Sequence, residues 1–158
     1  MNVLESIRQT LQQHNIPFHE SHHEATPTSA DSARIRGVSL KIGGKALVLK
    51  IGDQFKLFVL SAERRLNTPA LVEKFGTKKT RFATPPELLE LTGLVPGSVP
   101  PFGRPILPLD LYLDESITQN EMIAFNAGSL TDSIDMKVED YLKIARPIEI
   151  FSFSQPVL

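Results

Sequence analysis

Cysteine is absent from the 158-residue sequence, and no apolar run approaches the length that spans a bilayer. Without cysteine, disulfides, thiolate metal ligands and cysteine nucleophiles are excluded. The N-terminus has neither a basic nor an apolar leader segment. We therefore predict a single cytoplasmic domain over residues 1–158, without membrane contact.

An excess of positive charge is also missing, because 17 basic and 18 acidic residues give a net charge of −1. Sequence-independent binding to DNA needs many contacts from lysine and arginine to phosphates, so no DNA binding is expected. A short contact with one end of a nucleic acid stays open. The basic run 78–81 is interpreted as a solvated edge.

The sequence lacks the common hydrolase motifs, namely a Gly-x-Ser-x-Gly elbow, a Gly-x-x-x-x-Gly-Lys phosphate loop and a His-x-x-x-His zinc pair. Three histidines do lie close together, but strand alternation puts His19 and His23 on one face and His22 on the other, with no well-spaced carboxylate to complete a set. Solvated histidines on an edge strand are the favoured interpretation, and a metal-dependent hydrolase is a weaker alternative. No metal and no cofactor are expected.

Apolar periodicity and turn residues predict a mixed α+β fold. Helices are predicted at 2–14, 28–36, 67–76, 84–93 and 138–144. Extended segments are predicted at 16–23, 38–42, 44–51, 55–60, 81–83, 107–113, 121–126, 133–136 and 147–153. Leu88, Leu89 and Leu91 are expected to face the core, and 114–116 is expected to be a turn.

Two lysines lie at the ends of the apolar segment 44–51. In a strand, Lys45 shares a face with Leu47 and Leu49, whereas Lys50 shares the other face with Ala46 and Val48. Taken alone, each lysine is expected to extend its ammonium to water from a strand end.

The segment 93–103 holds three glycines and three prolines in eleven residues. Such a loop has little conformational freedom to lose on folding, and it can present backbone amides and carbonyls to a ligand. A tight crossover between two elements would have the same composition, so both interpretations stay open.

Three segments, in this order, resemble the YbaK/aminoacyl-tRNA deacylase family, also called the prolyl-tRNA synthetase insertion-domain family. They are Lys45-Ala46-Leu47-Val48, Gly93-Leu94-Val95-Pro96-Gly97 and Phe125-Asn126-Ala127-Gly128-Ser129. The spacings to Gly37-Val38 and from Gly76 to Gly93 also fit, and the similarity extends over nearly the whole chain.

The resemblance implies a curved, largely antiparallel mixed sheet flanked by helices. It implies an enzyme that acts in trans on a tRNA mischarged with a small amino acid and hydrolyses its ester. Lys45 would be catalytic, and the substrate would be bound by Gly93, Pro96, Gly97, Asn126, Gly128 and Ser129. The partner would be the aminoacyl-tRNA acceptor end, with an aminoacyl-tRNA synthetase as a second candidate. In this family a hydroxyl of the terminal ribose is thought to help position water, which fits the lack of a general base.

Ala46 departs from the family, in which the residue after the lysine is often an asparagine or threonine. The departure leaves the identity of the amino acid open. It also motivates an alternative function, a catalytically inactive module of the same fold that binds the tRNA acceptor end. Asn126 is either a polar residue of the pocket or only the end of a strand.

Overall fold

The computed structural model describes residues 1–25 and 39–157, which form helices and strands mixed along the chain. The helices are α1 (Val3–Gln13), α2 (Thr68–Phe75), α3 (Pro85–Thr92), α4 (Glu115–Thr118) and α5 (Val138–Ala145), with a 3₁₀ helix at Leu40–Ile42. The strands are β1 (His19–His22), β2 (Gly44–Ile51), β3 (Gln54–Ser61), β4 (Arg64–Leu66), β5 (Thr80–Phe82), β6 (Asp110–Asp114), β7 (Met122–Asn126), β8 (Asp132–Lys137), β9 (Glu149–Phe151) and β10 (Ser154–Pro156).

Side-chain caps and left-handed glycines set the ends of several helices where the sequence predicts them. Asn2 begins α1 by accepting a hydrogen bond from the amide of Glu5 at 2.8 Å. Thr84 begins α3 with a reciprocal capping box. Gly76 and Gly93 follow α2 and α3 with φ of 67° and 75°, a conformation that favours glycine.

The strands form a five-stranded sheet of order β5-β2-β3-β6-β9, a three-stranded sheet β1-β8-β7 and a pair β10-β4. β2 and β3 form the predicted antiparallel hairpin, whereas β6 pairs in parallel with β3 and with β9. A parallel bridge between Gly43 and Ala124 joins the two larger sheets where β2 begins. The predicted mixed, largely antiparallel α+β fold is thereby confirmed.

The five-stranded sheet carries a hydrophobic cluster on each face, because its side chains alternate. The main core cluster includes Val48, Leu57, Val59, Leu111, Leu113, Phe125 and Tyr141. The second core cluster comprises Leu49, Ile51, Phe58, Leu60, Leu71, Tyr112 and Phe153. The main cluster packs against α1 and α5, and the second packs against α2 and the C-terminal segment.

Three expectations are wrong in detail. Residues 40–42 form a 3₁₀ helix rather than a strand, because the Ser39 hydroxyl accepts from the amide of Lys41 at 3.2 Å and begins a turn. Leu89 is 54% exposed, because it lies on the outer side of α3. The expected turn at 114–116 is the start of α4, with Asp114 as its cap. The helix predicted at 28–36 and the residue Val38 lie outside the described residues.

No helix within residues 1–25 and 39–157 combines the length and the apolar character needed to cross a membrane.

Phe58 lies at the centre of the second core cluster, with ring centroids 5.5 Å from Tyr112 and 5.4 Å from Phe153. Phe58→Ala is expected to lower the free energy of unfolding by about 3–5 kcal/mol, because it leaves a cavity among aromatic rings. Phe82→Ala is the matched control, since Phe82 is 54% exposed, and it should change stability by less than about 1 kcal/mol. Urea denaturation measures both, and equal losses would contradict the assignment of Phe58 to a packed core.

Candidate functional site

β2 places Lys45 half-buried on the face of the second core cluster. Its ammonium donates a hydrogen bond of 2.7 Å to the main-chain carbonyl of Arg64. Burial lowers the pKa of the Lys45 ammonium below its ordinary value. Ala46, by contrast, packs against the main core cluster on the opposite face.

Lys50, at the other end of β2, has a different environment. Its ammonium lies 5.7 Å from the ring centroid of Phe55, its neighbour across the β2–β3 hairpin. This cation–π contact gives Lys50 a local packing role. Lys45 and Lys50 therefore have different roles, and of the two only Lys45 is turned toward other polar groups of the candidate site.

The Gly-x-x-Pro-Gly motif forms two consecutive turns. Gly93 ends α3, and the amide of Ser98 then donates to the carbonyl of Val95 at 3.1 Å across Pro96 and Gly97. Proline followed by a glycine at φ 88° is the pattern of a type II β-turn. The Ser98 hydroxyl donates to the same carbonyl at 2.7 Å, which tightens the turn.

A chain of hydrogen bonds leads from this turn to β1. The side-chain amide of Asn126 donates to the carbonyl of Gly97 at 2.7 Å, and the Ser133 hydroxyl donates to Asn126 Oδ1 at 3.2 Å. His23 Nε2 lies 2.6 Å from the Ser133 Oγ. His23 Nδ1 lies 2.7 Å from the main-chain carbonyl of Glu24, so the direction of the contact with Ser133 depends on the tautomer of the imidazole. Asn126 therefore fixes the turn and does more than end a strand.

Strand register places Lys45 on the same side of the molecule as the hydrogen bonds of Asn126 and Ser133. Asn126 lies opposite Ser133 in the β7–β8 hairpin, so both point to one face. Gly43 and Ala124 form the parallel bridge, and Lys45 and Asn126 each follow two residues later. Since alternation has a period of two, Lys45 and Asn126 share that face. No hydrogen bond within the described part of the chain joins their side chains.

Gly128 and Ser129 lie in the turn between β7 and β8. Gly128 has φ 79°, and a side chain there would place its Cβ 2.9 Å from the Cβ of Val3 in α1. The Ser129 hydroxyl accepts from the amide of Thr131 at 3.0 Å and lies 2.9 Å from its hydroxyl. Both residues thus have a structural role, and a substrate contact at either one remains a prediction.

The three histidines are held separately. His19 and His22 lie on the edge strand β1, where their side chains are 72% and 78% exposed and bond to Asp135 and Asp132. His23 instead contacts Ser133. Among the described residues, no cluster of three histidine or carboxylate side chains is placed to hold a metal ion.

Two parts of this site are not predicted by the sequence patterns. These patterns place Ser133 in a strand and give it no role, although its pairing with Asn126 across a predicted hairpin is a signal for one. The Arg64 carbonyl has no local signal, because a main-chain oxygen is identical in every residue and only the fold brings it to Lys45.

Gly128→Ala tests the contact of this turn with α1. Both Gly128 and the control Gly76 have positive φ, but only Gly128 would bring its new Cβ against another residue. Gly76→Ala should lower the free energy of unfolding by about 1 kcal/mol, the cost of the left-handed conformation. Gly128→Ala should cost about 1–3 kcal/mol more, because it also overpacks against Val3. Chemical denaturation measures the difference, and equal costs would contradict the packing role.

Comparison with known proteins places this chain among editing domains. Residues 23–144 match the family model described as the aminoacyl-tRNA editing domain. The multifunctional Ser/Thr-tRNA deacylase ProXp-y of Escherichia coli (strain K12) is 38% identical over 150 residues, which cover 90% of this chain and 87% of the relative. A proline–tRNA ligase of Shouchella clausii is 35% identical over 84 residues, 53% of this chain and 14% of the ligase.

The fold also matches solved structures. A crystal structure of a protein described as a candidate trans-editing enzyme for prolyl tRNA synthetase superposes with a TM-score of 0.82, and 98% of each chain is covered. At 23% sequence identity, this likeness concerns the fold.

Proposed function

Because this chain belongs to the family of aminoacyl-tRNA editing domains, we propose that it hydrolyses the ester of a tRNA mischarged with a small amino acid. It acts in trans, in the cytoplasm, as one domain over residues 1–158. The observation that carries the proposal is the shared face of Lys45, Asn126 and the Gly97 turn. The half-buried Lys45 ammonium supplies a positive charge there, and the turn supplies a rigid backbone.

An aminoacyl ester is already reactive, so placement of the substrate and stabilisation of the developing oxyanion are sufficient for catalysis. Lys45 binds the ester carbonyl or the terminal phosphate region as a cation. The Gly97 carbonyl is occupied by Asn126, whereas the Gly97 amide makes no hydrogen bond to any described residue. That amide is therefore the backbone group of the turn that we assign to the substrate or to the oxyanion.

The first substrates to test are tRNAs that carry serine or threonine, because the Escherichia coli relative is named for a Ser/Thr-tRNA deacylase. A hydroxylated side chain needs a hydrogen-bonding partner when it leaves water. Asn126 and Ser129 are the polar side chains on the motif segment 125–129 that we assign to this role. Gly93 and Pro96 contribute by the shape of the two turns of the Gly-x-x-Pro-Gly motif, and Gly128 contributes by the shape of the turn between β7 and β8.

The rest of the tRNA is bound by local cations. Lys78 and Lys79 line a surface depression of about 480 Å³ at the far end of β2 from Lys45. The neighbouring Arg81 is paired with Glu87, which leaves the two lysines for backbone phosphates. Similarity to part of a proline–tRNA ligase supports an aminoacyl-tRNA synthetase as a further partner.

The alternative function, an inactive module that binds the acceptor end, rests on Ala46. In the structure, Ala46 packs into the main core cluster, on the face opposite Lys45. An alanine there is suited to an apolar environment and removes no polar group from the proposed site. The observation that motivated the alternative therefore gives it no support.

Lys45→Ala is expected to lower kcat/KM for hydrolysis of Ser-tRNA or Thr-tRNA by more than about 100-fold, because it removes the cation that stabilises the transition state. Release of labelled amino acid from each tRNA of a mischarged panel measures the rate. Lys143→Ala is the matched control, since it removes the same charge from α5, which packs against the main core cluster on the face opposite Lys45, and it should leave the rate within about twofold.

Full activity of Lys45→Ala would contradict the role of Lys45. Binding of acceptor-stem RNA by the wild-type protein, with no hydrolysis of any tRNA in the panel, would contradict the deacylase function and favour the inactive module.

A further inference from the structure

The carbonyl that holds Lys45 is itself held by a buried chain of hydrogen bonds. Building on the proposed function, we infer that Arg64, Ser154 and Asp114 are positioning residues for Lys45. In this arrangement, the C-terminal segment is part of the catalytic apparatus although it lies outside the motif segments. The inference concerns three side chains on β4, β10 and β6 that no sequence motif connects.

Arg64 offers Lys45 a free carbonyl because its main-chain groups point away from β10. β4 and β10 pair antiparallel, and the amide of Asn67 donates to the carbonyl of Phe153 at 2.8 Å. Hydrogen-bonded pairs alternate along such a ladder, so Arg65 exchanges hydrogen bonds with β10 and Arg64 does not. The Arg64 oxygen is therefore left for the Lys45 ammonium, at 2.7 Å.

The side chain of Arg64 fixes the position of that carbonyl. Its Nε donates to the Ser154 hydroxyl at 2.7 Å, and its Nη2 donates to the Ser154 carbonyl at 3.3 Å. β4 is only three residues long, so its own ladder constrains the backbone weakly. Two hydrogen bonds from one guanidinium orient Arg64 more firmly than a single flexible contact would.

Asp114 anchors this chain of hydrogen bonds to the five-stranded sheet. Its carboxylate is 1% exposed and accepts from the Ser154 hydroxyl at 2.7 Å, from the amide of Phe153 at 2.7 Å and from the amide of Ser116 at 3.0 Å. A buried carboxylate with three donors is costly to disturb, because each lost donor leaves a desolvated charge without a partner. Ser154 is thereby fixed between a rigid anchor and Arg64.

This chain of hydrogen bonds orients the Lys45 ammonium for catalysis. An ammonium has three donors, and one of them is used by the Arg64 carbonyl. The other two point away from that oxygen and are available to the substrate. A lysine fixed in one rotamer loses little side-chain entropy on binding, so its contribution appears mainly in kcat.

The test compares Arg64→Met and Ser154→Ala with the matched control Arg65→Met, an exposed arginine on the same strand. Nuclear magnetic resonance of the lysine Cε–Hε groups reports the mobility of Lys45, whose signal is assigned by its loss in Lys45→Arg. In the wild type and in Arg65→Met, the two Hε protons should have different shifts, because the ammonium is fixed. In Arg64→Met and Ser154→Ala, the two shifts should merge.

Kinetics on the most reactive mischarged tRNA should show a fall in kcat of roughly 10- to 100-fold in both variants, with KM within about threefold. Ser154→Thr, which retains the hydroxyl, should recover most of kcat. Thermal unfolding verifies that each variant is folded. If one of the two variants does not fold, the other still tests the inference.

Separate Hε shifts in both variants would overturn the inference, and so would an unchanged kcat when the shifts merge. If the wild type hydrolyses no tRNA, the proposed function fails. The resonance experiment then still decides whether Arg64 and Ser154 fix Lys45.

Discussion

The buried carboxylate of Asp114 is the constraint on which much of the structure depends. Asp114 ends β6 and caps α4. Its carboxylate accepts hydrogen bonds from Phe153 and Ser154 of the C-terminal segment. An unpaired charge at 1% exposure would cost several kcal/mol, so the three donors must be present together in the native state. This requirement brings the C-terminal segment onto the second core cluster, where Phe153 packs against Phe58. One desolvated group thus determines the path of a segment that has little regular structure of its own.

A second constraint is the alternation of side chains across the joined sheets. From β8 through β7 and β2 to β3, one face carries Ser133, Asn126, Lys45 and Leu60, while the opposite face is buried in the main core cluster. A shift of one residue in β2 would exchange the two faces and place Lys45 in the hydrophobic core. Close packing at two glycines opposes a shift in either direction, because a Cβ at Gly44 would lie 2.8 Å from the Ile123 methyl and a Cβ at Gly43 would lie 2.9 Å from the Cβ of Ala62. Packing at these glycines therefore determines where the catalytic candidate points.

Local patterns predicted much of this fold. Strand β2 has the expected bounds, and the turn at Gly52-Asp53 joins it to β3 as expected, because both depend on neighbouring residues. The resemblance to a family brought together Lys45, the Gly97 turn and Asn126, which periodicity alone could not connect. The prediction failed where a long-range contact decides the outcome. The exposure of Leu89 depends on what lies beside α3, and the role of Arg64 depends on Ser154, 90 residues away.

The choice of a carbonyl as the partner of Lys45 has a chemical reason. A carboxylate in contact with the ammonium would neutralise it and would compete with the ester carbonyl or the phosphate of the substrate. The carboxylate of Asp114 belongs to β6, which lies two strands from β2, about 10 Å at ordinary strand spacing. Its oxygens accept from Ser116, Phe153 and Ser154, so Asp114 is occupied without contacting Lys45. Burial lowers the pKa of Lys45, and the hydrogen bond to the Arg64 carbonyl orients its side chain. The arrangement leaves two donors of the Lys45 ammonium for a substrate.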